Sequence, residues 1–482
     1  MKQTSWQIIY TNYSKMQKRA IEFLNREMSK YVLRELGEYK IHVLPVYKES
    51  SLTVENSAIV ISLYSDSKII QNYIKPNELS ENGFILKVID NPNTPESSLV
   101  LITANNEDAL YRGAVYFMDD YVTKYSPMIS GKLRYRFFDG RLVPGEYKEQ
   151  IYSKTRSIFA WGHAINDYRA YIDNMARLGL NQLILWNDYE PLNARDVVEY
   201  AHSYNIEVIW GFAWGWDEKR CENLTDLNDE MLEKMKQSAI NAYYSTWQGL
   251  GDGIYFQSFT ETNMDTLNGK CIASVVTDFV NDIAGIILEK EPNLKIQFGL
   301  HALSVHKYIN EIARVDKRIE ILWEDCGDFP YSYGVFKLVD DEKFKETIKF
   351  TKDIIELRGV DAKTGIVFKG HTTLDWTRFI HQKGPFILGE NSNFVKEHDK
   401  YLRSSGWNTL SAGWIKNGER ARLIAELALT LTNGNVNLCM AGAYDGGIFL
   451  PMALCADIFK NPYEKFEDIL ERVNGREVVE YK

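Results

Sequence analysis

From about residue 155 onward the chain repeats one unit: an apolar run, a polar loop, then a stretch with apolar residues at helical spacing. The runs are SIFAW (157–161), NQLILWND (181–188), IEVIWGFAWGW (206–216), GIYFQSFTE (253–261), LKIQFGLH (294–301), IEILWED (319–325), TGIVFKGH (364–371) and NTLSAGWI (408–415). Between them YRAYIDNMARLG, ARDVVEYAHSYN, the 229–249 segment, VVTDFVNDIAGIILEK, FKETIKFTKDIIELRG and ERARLIAELALTLTNG read as helices. Strands covered on both faces show no polar side, so they read as continuous apolar runs. Eight of them separated by helices predict an α/β protein with a parallel (β/α)8 TIM barrel over residues 150–475, closed by 442–472 as a last helix or cap. A doubly wound open sheet would want fewer strands and a glycine-rich phosphate turn after the first, and none is present.

The first 135 residues read differently. An amphipathic stretch at 15–36 precedes short β-like runs at 40–47, 57–64, 83–89 and 98–103, and NNEDALYRGAVYFMDDYV (105–122) reads as a helix entered through an Asn cap. This predicts a smaller α/β sandwich domain ahead of the barrel.

Charge and composition narrow the function. The formal net charge is −10 and no basic stripe occurs, which argues against a nucleic-acid partner. No run of about 18 apolar residues is present, so no membrane span is expected. The N-terminal MKQTSWQIIY has no uninterrupted apolar stretch after its charged start, and the five cysteines are scattered with no C-x-x-C pair. Both features predict a cytoplasmic protein with reduced thiols, and no metal or cofactor site is indicated. Assembly into a homo-oligomer stays open.

In a TIM barrel the active site lies at the C-terminal ends of the strands, so the residues there are the candidates. In chain order they are Trp161 and His163, Trp186 and Asp188, Trp214 and Trp216, Glu261, His301, Trp323 with Glu324 and Asp325, His371 with Asp375 just beyond, and Trp414. Singly, a Trp is more often core than ligand platform, and a loop-start carboxylate such as Asp188 or Asp375 is often a helix cap. It is their recurrence at one rim that points to a carbohydrate substrate. The C–H face of a pyranose stacks on indole, and its hydroxyls bond to Asp, Glu and His. Cleaving a glycosidic bond needs two carboxyl groups, one protonated to aid the leaving oxygen and one ionised as nucleophile or base. Glu261 is the candidate acid, and Glu324 or Asp325 its partner. Two other classes compete: a non-catalytic sugar-binding barrel, and a metal-dependent barrel enzyme using His163, His301 and His371.

The segment GFILKVI…SSLVLITANNEDALYRGAVYFMDDYV resembles the small α/β domain that precedes the barrel in bacterial β-N-acetylhexosaminidases and α-glucuronidases, and Asn105, Asn106, Tyr111 and Gly113 carry the likeness. The following TRSIFAW resembles their first barrel strand. The resemblance covers about 100 residues and implies an exo-acting glycoside hydrolase. Hexosaminidases carry an Asp-Glu pair after their fourth strand, whereas this chain has Thr260-Glu261 and places its paired acids on the sixth. Acetamido-assisted catalysis is therefore not implied.

Overall fold

A computed structural model describes residues 6–480 apart from 30–31, 36–37, 42–44, 50–53, 55, 126–127, 130–134, 137–141, 216–227, 263, 325–340, 372–383, 391–403 and 442–446. Two compact units are present. The first comprises Met1–Ile151, Ser203–Asn205 and Glu471–Val478; the second comprises Tyr152–His202, Ile206–Leu470 and Val479–Lys482.

The first unit is built on a six-stranded sheet in the order Gly145–Lys148, Phe84–Asn91, Thr94–Ala104, Ser57–Leu63, Trp6–Tyr10, Val46–Lys48. The hairpin of Phe84–Asn91 and Thr94–Ala104 is antiparallel, and pairing is parallel from Thr94–Ala104 through to the Val46–Lys48 edge. One core cluster gathers Ile9, Val60, Ile85, Leu99 and Leu101 with Ile70 and Ile74 from the 64–79 connection. Each such side chain contributes roughly 1.5–3 kcal/mol on burial. Helix Glu107–Tyr116 starts at Asn106, whose side chain accepts from Ala109 N at 2.9 Å. That is the Asn cap expected at this position. A Cβ on Gly113 would stand 2.7 Å from Ile102 Cγ2, so glycine lets the helix approach the sheet closely.

The second unit is a closed parallel barrel of eight strands: Thr155–Trp161, Gln182–Trp186, Glu207–Ala213, Gly253–Gln257, Lys295–His301, Glu320–Glu324, Thr364–Phe368 and Val436–Ala441. The first strand closes it, pairing with both the second and the eighth. Seven strands fall where the apolar runs predicted them. The eighth does not. Residues 408–415 belong to the helix Ser404–Thr432, and the closing strand is the six-residue run VNLCMA. Among the described residues no helix is long and apolar enough to cross a membrane.

Side chains alternate across a strand, so every second residue fills the barrel lumen. Three layers result. At the N-terminal end Ser157, Gln182, Gln297, Glu320 and Asn437 form a hydrogen-bonded polar layer. In the middle Phe159, Ile184, Ile209, Tyr255, Leu322, Val367 and Cys439 pack together, with Trp186 and Trp161 above them. Two residues further along the strands the C-terminal layer begins.

Candidate active site

Glu324 ends the sixth strand, two residues past lumen-filling Leu322, and is 6% exposed. Three neighbouring strands reach it. Lys369 Nζ, just past the seventh strand, lies 3.0 Å from Oε2. Gln257, last residue of the fourth, donates from Nε2 to Oε1 at 3.3 Å. His301, last residue of the fifth, places Nε2 3.3 Å from Oε1, though its ring N–H is not aligned for a regular hydrogen bond. The Lys369–Glu324 pair is nearly dry, at 4% and 7% side-chain exposure. Replacing Lys369 by a neutral residue would leave the Glu324 charge buried without its ammonium, at a cost of about 3–5 kcal/mol.

A shelf of backbone and aromatic atoms supports this cluster. The Gln257 amide donates a second bond to Tyr255 Oη at 3.1 Å. Gly299 makes room for that hydroxyl, since a Cβ there would fall 1.8 Å from it. The fifth-strand end is tied down through Thr260, whose hydroxyl accepts from His301 N at 3.4 Å and whose carbonyl accepts from Ser304 Oγ at 2.7 Å.

The aromatic rim divides by strand parity. Trp161 and Trp186 stand on inward positions. Trp161 is partly exposed and meets Phe159 edge-on at 4.9 Å, and Trp186 meets Tyr255 edge-on at 6.2 Å. Trp323 and Trp214 fall on outward positions and leave the set of sugar platforms. Trp323, 1% exposed, packs against Phe350 of helix Asp341–Arg358. Trp214, fully buried, stacks on Phe256 at 3.7 Å. Trp414 leaves it too, because it lies on a helix rather than at a strand end. It is buried, with Nε1 donating to Gly370 O at 3.1 Å, and so anchors the segment that presents Lys369.

His371 is buried against Trp414, its ring centroid 5.0 Å from the indole, and Nδ1 bonds to Phe368 O at 3.1 Å. Burial pushes its pKa down to about 3, so the ring is neutral and no sugar can touch it in this packing. His163 is buried in the 3-10 turn Gly162–Ala164 after the first strand. A Cβ on Gly162 would meet Asn187 Oδ1 at 2.1 Å, so the loops after strands one and two interlock there. Asp188, next in that loop, is exposed. Glu261 is also exposed, four residues beyond the end of the fourth strand at Gln257. Trp216, Asp325 and Asp375 lie outside the described residues. The three histidines of the metal reading do not come together. Among the described residues no group of three His, Cys, Asp or Glu is gathered that could hold a metal ion.

Lys369 and Gln257 were missed from sequence because each run was read for its terminal residue type. Stepping in twos from lumen-filling Val367 and Tyr255 reaches both.

No family model and no curated protein matches the chain. Several solved structures are similar to it. A GH138 enzyme targeting pectin rhamnogalacturonan II matches with a TM-score of 0.46 at 10% identity, over 99% of this chain and 51% of that one. A family GH115 4-O-methyl-α-glucuronidase with specificity for decorated arabinogalactans gives 0.40 at 9% identity, over 89% and 62%. A family 89 glycoside hydrolase from Clostridium perfringens gives 0.43 at 10% identity, over 83% and 47%. The chain spans about half to three-fifths of the length of these structures.

Proposed function

We propose that this chain is a glycoside hydrolase whose site lies at the C-terminal mouth of the barrel. Glu324 is the ionised carboxylate, acting as nucleophile or base, and Glu261 is the proton donor. The observation that carries this reading is the environment of Glu324: a buried carboxylate, at the C-terminal end of a barrel strand, held by an ammonium and an amide. A carboxylate so held accepts hydrogen bonds from its neighbours and has none to give, which suits one of the two roles that glycosidic cleavage requires. Trp161, the partly exposed indole of the lumen, is the stacking surface for a sugar ring. The N-terminal domain's likeness to those of hexosaminidases and α-glucuronidases favours action at chain ends.

Paired leaving groups test the assignment. Glu324→Gln is expected to lower kcat by ~100-fold or more on every substrate that the protein hydrolyses. Glu261→Gln should cost as much on an alkyl glycoside and far less on a 2,4-dinitrophenyl glycoside, whose leaving oxygen needs no proton. Equal losses on both substrates would remove Glu261 from the acid's role. Trp161→Ala should raise KM more than it lowers kcat. Binding of sugars without hydrolysis would favour the sugar-binding barrel instead.

A further inference from the structure

Lys369 is a buried lysine that general acid–base cleavage does not by itself require. Its Nζ is 3.0 Å from Glu324 Oε2 and its side chain is 4% exposed. An ammonium has three hydrogens and no lone pair, so it can only donate. The Gln257 amide nitrogen has the same limitation. Its two hydrogens go to Tyr255 Oη and Glu324 Oε1. From the fourth and the seventh strands alike, Glu324 is met by donors, and a proton on it would face another donor's hydrogen. Among the described residues, His301 on the fifth strand lies beside Oε1, and Cys439 on the eighth is within electrostatic reach, its thiol pushed up to about 12 by burial and so neutral.

The two carboxylate oxygens are not equivalent. Oε1 takes the Gln257 hydrogen bond and has the His301 ring close beside it at 3.3 Å, whereas Oε2 meets Lys369 alone among the described residues. Each oxygen offers two lone-pair positions; the His301 ring crowds the second one of Oε1, and no described residue crowds that of Oε2. We infer that Lys369 is a positioning residue that holds Glu324 in its acceptor form and makes Oε2 the reacting oxygen, an inference that rests on the glycosidase reading above. On a covalent route the open lone pair of Oε2 forms the bond to the anomeric carbon as the glycosidic C–O bond breaks. The departing electron pair stays on the leaving oxygen, which takes the proton of the acid. On a single-displacement route Oε2 takes a proton from water while the water oxygen forms that bond.

The test needs Lys369→Met, which keeps length and removes charge, and Lys369→Arg, which restores the charge. On a 2,4-dinitrophenyl glycoside chosen from a panel for hydrolysis by the unaltered protein, Lys369→Met is expected to lower kcat on the order of 10–100-fold with little change in KM, and Lys369→Arg to recover part of it. A purely structural lysine would lower the melting temperature of the variants and leave kcat per folded molecule in place, which would overturn the inference. Infrared difference spectra against Glu324→Gln read the same point without a substrate. The unaltered protein should show a carboxylate stretch at this position, and Lys369→Met should move part of it to the carbonyl stretch of a protonated acid. A carbonyl band in the unaltered protein overturns the inference whatever its activity. Hydrolysis of none of the panel with the carboxylate band in place counts against the glycosidase reading and, with it, Oε2 as the reacting oxygen, and leaves supported the part of the inference in which Lys369 holds Glu324 as an acceptor.

Discussion

Gly299 shows how much of the site is decided by the absence of an atom. A methyl group there would stand 1.8 Å from Tyr255 Oη and 2.4 Å from Cζ, and Tyr255 is packed in the middle of the lumen. Gly299→Ala is therefore expected to destabilise by about 1–3 kcal/mol, as overpacked cores do. Combining it with Tyr255→Leu, which removes both clashing atoms, should cost less than the sum of the two single changes when read by chemical denaturation. A strictly additive pair would mean that the strand backbone moves and the tyrosine does not. The same parity that turns Gly299 and Tyr255 towards one lumen governs what the sequence could tell at single residues. Glu324 was legible because it ends an apolar run and carries the chemistry a glycosidase wants. Lys369 was not, because a lysine near the end of a run reads as a solvated strand end unless positions are counted in twos from Val367. Trp214 and Trp323 misled for the complementary reason: indole type says nothing about which face of a strand it occupies.

At the level of elements, the misplaced eighth strand has a physical cause visible in its neighbours. Trp407, Leu410 and Trp414 are all buried, at spacings of three and four, which is a helical stripe and not a strand's alternation. The helix runs on through Ala421, Ile424, Ala425 and Ala428 and ends where Asn433 and Gly434 take positive φ of 50° and 79°. That turn sends the chain into VNLCMA, a short run that falls between the last predicted helix and the 442–472 cap and belongs to neither. The polar layer at the strand starts was not foreseen at all, since Gln182, Gln297, Glu320 and Asn437 interrupt otherwise apolar runs and look like solvent-facing ends. Glu320 accepts from Gln297 Nε2 at 2.5 Å and from Asn437 Nδ2 at 3.1 Å. The residue retains some exposed surface, but its carboxyl points in among Gln297 and Asn437, each 1% exposed, and burial raises its pKa above the usual range. A raised folded-state pKa contributes stability below the unfolded carboxyl's value and loses it as pH rises through the folded value. Glu320→Gln keeps an acceptor and cannot ionise. Its melting temperature minus that of the unaltered protein should climb from about pH 4 to about pH 8. A flat difference across that range would show that Glu320 ionises in the fold as freely as in the unfolded chain.

For the whole molecule, the repeat of apolar run and helix was enough to reach a barrel, because a parallel sheet of eight covered strands has few other ways to satisfy its edges. Its helices contain no membrane-crossing segment among the described residues, and the N-terminal unit has its own sheet and core. The first and last strands of the barrel meet at one of its eight seams, the pairing of Thr155–Trp161 with Val436–Ala441. Those two strands are separated in sequence by the other six of the barrel, so the ring is completed only when its eighth strand is made. During synthesis on the ribosome the first strand and the seventh each wait with a bare edge, open to any other extended chain nearby. A nascent chain arrested after Asn435 should accordingly be cut readily by protease within residues 155–368 and should retain chaperones, while one arrested after the C-terminal helices resists and releases them. The candidate site would be born with the seam: until that strand arrives, Lys369 and Glu324 belong to an unclosed sheet, and the cell handles a sticky ribbon before it owns a barrel.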